Sequence, residues 1–155
     1  MSSYFDIFMI PLQLLIVFFT VYYFVISFFG IFGRKRDEKI KTPEKTFAII
    51  VAAHNEDRVI GQLVENLHLL NYPDSLYDIL VVADNCQDNT AKIAKAGGAL
   101  VYERTSTDEK GKGFALEWMF NKLFAMKKQY DAVVIFDADN LVHLDFLMEM
   151  NSRLC

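Results

Sequence analysis

Hydrophobic and polar positions follow two different patterns along the chain. From Ile7 to Phe32 the residues are apolar almost without interruption, Gln13 being the one strongly polar member. A helix rises 1.5 Å per residue, so about 20 such residues cross a hydrocarbon core ~30 Å thick. The stretch predicts a transmembrane helix over about 7–32, its excess length allowing tilt or an interfacial start before Pro11. Beyond Thr46 the pattern alternates between short apolar runs and helical spacing. Thr46–Ala53 (TFAIIVAA) reads as a buried strand, followed by Val59, Ile60, Leu63, Val64, Leu67 and Leu70 on one helical face, stopped at Asn71–Asp74 by Pro73. Asp78–Asp84 (DILVVAD) predicts a second strand, Thr90–Ala96 a short helix ended by Gly97-Gly98, and Ala99–Tyr102 a weaker strand. A helix over roughly Gly113–Lys128 turns Leu116, Met119, Phe120 and Leu123 inward, with Trp118 in its core. Ala132–Phe136 is the fourth strand, and a last helix begins at Asp145. Strands of the buried type alternating with helices predict an α/β fold, a mostly parallel sheet with right-handed crossovers.

Charge sharpens the division. No charged residue lies between Asp6 and Arg34, whereas residues 34–155 hold 16 basic and 19 acidic side chains. The expected organisation is a membrane anchor (1–33), a basic linker (34–45) and a charged globular part (46–155). A cleaved signal peptide would want a basic start, a shorter apolar core and small residues at a cleavage site; here the start is acidic and the core ends in Phe28-Phe29-Gly30-Ile31-Phe32. Arg34-Lys35-Arg36, with Lys39, Lys41 and Lys45 behind it, places the globular part in the cytoplasm and the N-terminus outside, and gives the linker a grip on anionic membrane lipid. A net charge of -4 argues against nucleic acid as a partner, because a phosphate-tracking surface needs a basic excess. Cys86 and Cys155 form neither a disulfide framework nor a zinc spacing, and Cys86 reads as an incidental thiol.

In an open α/β sheet, ligands bind beyond the carboxyl ends of the strands. The four predicted strands deliver polar residues there: His54-Asn55-Glu56, Asp84-Asn85, Glu103-Arg104 leading to Lys110-Gly-Lys-Gly113, and Asp137-Ala-Asp139-Asn140. Single Asp- or Asn-rich turns are ordinarily helix caps, but four on one edge point to a site. Alternate residues of an extended segment point the same way, so Asp137 and Asp139 offer one ion a pair of hard oxygens suited to Mg²⁺ or Mn²⁺. The Lys110–Gly113 loop opens a helix whose amides and Lys112 favour a phosphate, though it lacks the spacing of a Walker loop. Asp84 suits a ring N–H or ribose hydroxyls, or caps the Asn85–Thr90 turn. His54 reads as structural, and His68 and His143 as helix-surface or packing residues. The first turn has no G-x-G-x-x-G, which disfavours a nicotinamide or flavin enzyme.

Together, Ile49-Ile-Val-Ala-Ala-His-Asn-Glu56, Val82-Ala-Asp-Asn-Cys-Gln-Asp-Asn-Thr90, Gly111-Lys-Gly-Phe-Ala-Leu116 and Phe136-Asp-Ala-Asp-Asn140 resemble the membrane-bound family 2 glycosyltransferases of the GT-A fold. The resemblance covers residues 46 to about 150. It implies a Rossmann-like sheet with flanking helices after a transmembrane helix, a nucleotide-sugar donor (a UDP-sugar), a polysaccharide or lipid-linked acceptor, and Mg²⁺ or Mn²⁺. It further implies that Ala52 and Ala53 line the nucleotide, that Asn55 and Glu56 lie near base and ribose, and that Asp84 reads the base. Lys112 would face the diphosphate, Asp137 the ribose or metal, and Asp139 would ligate the metal.

The family's general base on the acceptor hydroxyl has no counterpart before Cys155 beyond Asp145 and Glu149, and no Q-x-x-R-W motif is present. The expectation is the donor-binding part of a larger enzyme, incomplete at its C-terminus and without turnover alone. Three rivals stand beside it. An Asp-x-Asp phosphatase would open on the pair and follow it with Thr or Val, where Asn140-Leu141 stand. A nucleotidyltransferase would want a glycine-rich basic loop after strand one. The third is a non-catalytic, membrane-tethered nucleotide-sugar-binding module.

Overall fold

The computed structural model describes residues 2–31 and 41–155. The chain forms two compact units, Met1–Glu38 and Lys39–Cys155. In the first, α1 (Ser2–Ile31) is a single helix through Pro11. Met9–Gly30, 22 residues with a mean hydropathy of 2.2, is long and apolar enough to cross a membrane. Its large side chains, Leu14, Phe18, Phe24 and Phe29 among them, are exposed, as suits a helix solvated by lipid, which keeps every backbone bond internal. Thr20 follows that rule by donating its hydroxyl to the Ile16 carbonyl at 2.8 Å. The basic run Arg34–Arg36 and Lys39, on which the predicted orientation rests, lies outside the described residues.

The second unit is an α/β layer structure with elements β1 (Phe47–Ala53), α2 (Ile60–His68), β2 (Tyr77–Asp84), α3 (Thr90–Ala96), β3 (Leu100–Arg104), α4 (Lys112–Ala125), β4 (Ala132–Asp137) and α5 (Phe146–Leu154). All strand pairs are parallel, in the order β3-β2-β1-β4. Two steps carry the chain outward from β1 to β3; a third crosses back to place β4 on the other side of β1. β1 is therefore central and covered on both faces, and its alternation divides the core. Phe47, Ile49, Val51 and Ala53 face a layer with Leu63, Val64 and Leu67 of α2, Ala94 of α3 and Leu147 of α5. Ala48 and Ile50 face Ala115, Met119 and Leu123 of α4. This period of two explains why the strand reads as an unbroken apolar run.

The predicted parallel α/β architecture is what forms, with shifted ends. α4 starts one residue early at Lys112 and stops at Ala125, short of Lys128. Trp118 and Leu116 are only half-buried, and Lys122 Nζ lies 4.5 Å from the Trp118 ring centre. β3 runs on through Glu103 to Arg104, because the edge strand continues its ladder opposite Ala83 and Asp84. Gly98 ends α3 at φ 96°, where a Cβ would meet His68 Nε2 at 3.0 Å, so this position demands glycine both by conformation and by space.

The segment leading into β1 is fastened to α5 by Asn151, a fully buried polar residue. Its Oδ1 accepts from the Glu44 and Lys45 amides (both 3.1 Å) and from Tyr72 Oη (3.1 Å), and its Nδ2 donates to the Thr42 carbonyl at 2.9 Å. Removing such a hub orphans buried donors on several elements at once. Asn151→Ala is expected to lower the unfolding free energy by about 2–4 kcal/mol, read as a lower urea midpoint at unchanged slope.

Candidate functional site

A cleft of about 830 Å³ opens beyond the carboxyl ends of the sheet. Its walls are the end of β1 (Ala52 to Asn55), the end of β2 (Asp84 to Gln87), the β3–α4 loop (Thr105 to Thr107 and Lys110 to Lys112) and Ala115. Ala52, Ala53, Asn55, Asp84 and Lys112, all predicted site residues, meet there. Glu56, Asp137 and Asp139 do not line it. Asp145, which accepts from Asn71 Nδ2 at 2.6 Å, and Glu149, exposed on α5, lie outside it as well.

The three loops are built by one repeated device. Asn55 and Asn85 both take left-handed backbone, at φ 56° and 51°, a conformation asparagine tolerates better than most residues. Each turn aims its side-chain carbonyl at the next loop: Asn55 Oδ1 accepts from the Gln87 amide and Asn85 Oδ1 from the Ser106 amide, both at 2.8 Å. His54 Nδ1 lies 2.7 Å from the Asp84 carbonyl. A carbonyl can only accept, so Nδ1 carries the proton and Nε2, 3.3 Å from Asn55 Nδ2, accepts. Cys86, read from sequence as incidental, is part of the wall: it takes the Asn55 amide and donates to the Ala53 carbonyl, both at 3.4 Å. Burial pushes its thiol up, so it stays protonated and serves as a packing contact.

Asp88, not Asp84, holds the Asn85–Thr90 turn. Its Oδ1 accepts from Thr90 Oγ1 (2.6 Å) and the Thr90 amide (3.0 Å), and its Oδ2 from the Asp57 amide (3.1 Å). Thr90 Oγ1 in turn accepts from the Glu56 amide at 2.8 Å. Asp84 points elsewhere. It is 5% exposed, and its Oδ1 receives Arg104 Nη1 at 2.7 Å and Asn85 Nδ2 at 3.2 Å. Arg104, equally buried, also donates from Nη1 to the Glu109 carbonyl (2.8 Å) and from Nη2 to Glu109 Oε2 (3.0 Å). The Asp84 hydrogen bond pushes the guanidinium pKa further up, so Arg104 keeps its charge. Sequence reasoning placed Arg104 at the right edge but past the end of its strand. The register Asp84 opposite Arg104 carries the missing signal, and only strand pairing reveals it.

Also in the cleft wall, Gly111 (φ 110°) is the N-cap of α4, and Lys112 is the helix's first residue. The Lys112 ammonium pairs with the Asp137 carboxylate at the end of β4. Asp137 and Asp139 are both exposed and Ala138 between them is buried, but β4 ends at Asp137 and the Asn140 amide turns back to the Asp137 carbonyl at 3.2 Å, so the pair sits on a turn and not on the extended segment expected. Among the described residues no group of three or more His, Cys, Asp or Glu side chains converges as an ion site. Two carboxylate donors fit a hard divalent cation that draws its remaining ligands from water and phosphate, and do not suit zinc.

Comparison with known proteins agrees with this geometry. Residues 43–154 match the family model described as Glycosyltransferase like family 2. A beta-monoglucosyldiacylglycerol synthase from Nostoc sp. is 33% identical over 127 residues, covering 77% of this chain and 26% of the relative. The chain thus spans about a quarter of that relative's length. Among solved structures, a mannosyltransferase from Pyrobaculum calidifontis in complex with GDP-Man and Mn²⁺ superposes with a TM-score of 0.70 at 22% identity, over 88% of this chain and 39% of the other. Glucosyl-3-phosphoglycerate synthase from Mycobacterium tuberculosis, in complex with Mn²⁺, UDP and phosphoglyceric acid, gives 0.52 at 27% identity, over 66% and 36%.

The Asp88 clamp has a pH signature. Burial works to raise its carboxyl, but the Thr90 hydroxyl and the Thr90 and Asp57 amides outweigh it and hold the group below the usual carboxylate range. A depressed native pKa stabilises fully above the unfolded value and is lost as pH falls through the native one. Wild type is therefore expected to exceed Asp88→Asn in melting temperature at neutral pH. The gap should close on acidification below about pH 4, followed by circular dichroism.

Proposed function

Because the chain belongs to glycosyltransferase family 2, we propose that its cleft binds a nucleotide-sugar donor, a UDP-sugar, for inverting transfer to a lipid-linked or polysaccharide acceptor at the membrane. The observation that carries this reading is the presence, in the wall of one cleft, of a buried carboxylate (Asp84) and a cationic helix start (Gly111, Lys112). A carboxylate accepts from the imino N–H of a base, and free helix amides with a lysine receive a diphosphate. Ala52 and Ala53 leave room for the nucleoside between them, with Asn55 and Glu56 towards the base and ribose from the turn after β1. Lys112 is held ready at Asp137 and passes to the diphosphate when the donor enters.

Asp137 and Asp139 would hold Mg²⁺ or Mn²⁺. A bound divalent ion offsets the negative charge that grows on the departing nucleoside diphosphate. Both structural neighbours described above carry Mn²⁺, one with GDP-Man and the other with UDP. The Nostoc relative is named for a glucosylated diacylglycerol, which supports a lipid acceptor here. In this reading residues 1–33 anchor the protein, 34–45 form a basic linker against anionic lipid, and 46–155 carry the donor site on the cytoplasmic side, with the N-terminus outside.

Titration of the detergent-solubilised chain with UDP, with and without Mn²⁺, tests the assignment. Wild type is expected to bind UDP at least about tenfold more tightly with Mn²⁺ present, and Asp139→Ala to lose that difference while keeping its fold. Metal-independent binding by wild type would remove the role given to Asp137 and Asp139; absence of any UDP binding would remove the donor site itself.

A further inference from the structure

The donor-site reading leaves open why Asp84 is tied to a buried arginine. Removing two charges from water is costly, and a buried ion pair is weak evidence of a stabilising device. Its geometry is directional instead. Arg104 and Asn85 both donate to the same oxygen, Oδ1. Oδ2 has no partner among the described residues, yet none of their buried side-chain nitrogen or oxygen atoms is left without a hydrogen bond. Oδ2 is thus the oxygen that reaches the open space of the cleft that Asp84 lines. Arg104 is held in addition by Glu109, whose carbonyl shares Nη1 at 2.8 Å and whose carboxylate takes Nη2 at 3.0 Å.

We propose that Arg104 is the positioning residue that sets base specificity, by holding Asp84 so that a single ionised oxygen is presented to the base. The inference rests on the donor-site reading and adds to it the group that enforces the choice. A carboxylate oxygen can only accept, so it pairs with a base that offers a ring N–H, as uracil does at N3. Cytosine presents a lone pair at the same ring position and is repelled. The arrangement has a second consequence. Guanidinium only donates, so in Asp84→Asn the amide oxygen must turn toward Arg104 and Asn85, leaving its NH₂ in the cleft. A donor then stands where an acceptor stood, and the preferred partner becomes the cytosine N3 lone pair.

The experiment measures binding of UDP and of CDP to the detergent-solubilised full chain at constant Mn²⁺, by calorimetry, for wild type, Asp84→Asn and Arg104→Lys. Wild type is expected to favour UDP by at least about tenfold and Asp84→Asn to favour CDP. Arg104→Lys keeps the charge but replaces the fixed fork with a mobile ammonium, and its UDP-to-CDP ratio should fall close to one. A merely structural arginine would weaken both nucleotides by the same factor and leave the ratio unchanged; that result, or the absence of reversal in Asp84→Asn, overturns the proposal. If Arg104→Lys does not fold by circular dichroism, the isosteric Asp84→Asn decides alone. A wild type that binds neither nucleotide removes the donor-site reading, whereas wild-type preference with an unshifted ratio removes only the role of Arg104.

Discussion

A strand buried on both faces tolerates no polar side chain along its length, and β1 is such a strand. Its neighbours β2 and β4 pair with it from either side in parallel register, and helices close both faces. Along β1 polar chemistry is excluded until the chain leaves the sheet, and parallel pairing makes its neighbours end on the same edge. The cleft is the outcome of that exclusion. His54 and Asn85 are the first residues past β1 and β2, and Asp137 is the last of β4.

Once gathered on one edge, the loops have to be held against one another without a sheet ladder to do it. The structure uses side-chain amides and hydroxyls for this: Asn55 to the second loop, Asn85 to the third, and Asp88 with Thr90 back to the first. These bonds leave backbone and carboxylate groups around the cavity in fixed directions. A preorganised polar wall of this kind needs little reordering when a ligand arrives.

The apolar N-terminal helix, the four parallel strands and the strand ends that bring five of the eight candidate residues to the cleft wall were legible from sequence, because burial and period-two or helical spacing leave direct marks on residue choice. What escaped depended on pairing across the chain. The polar residues Glu103 and Arg104 end an apolar pattern, so the strand seemed to stop at Tyr102; the ladder to Asp84 keeps it going. Asp84 and Asp88 are equally plausible caps for one turn by composition, and only the approach of Arg104 from the neighbouring strand separates their roles. Cys86 sits within the Val82–Thr90 motif without a spacing that marks its thiol, and it takes the amide of Asn55, the residue in the left-handed turn after β1.

The Asn151 hub has a mechanical consequence. Residues 41–45 run alongside α5 and are held there by bonds from Asn151 and by the Lys41 amide to Ser152 Oγ at 3.0 Å. Residues 41–45 are thereby tied to α5 before the chain enters β1. The ladder of β1, which carries one wall of the cleft, comes after these bonds along the chain. In the reading that residues 1–33 anchor the chain, a pull from that end reaches these bonds before it reaches the cavity.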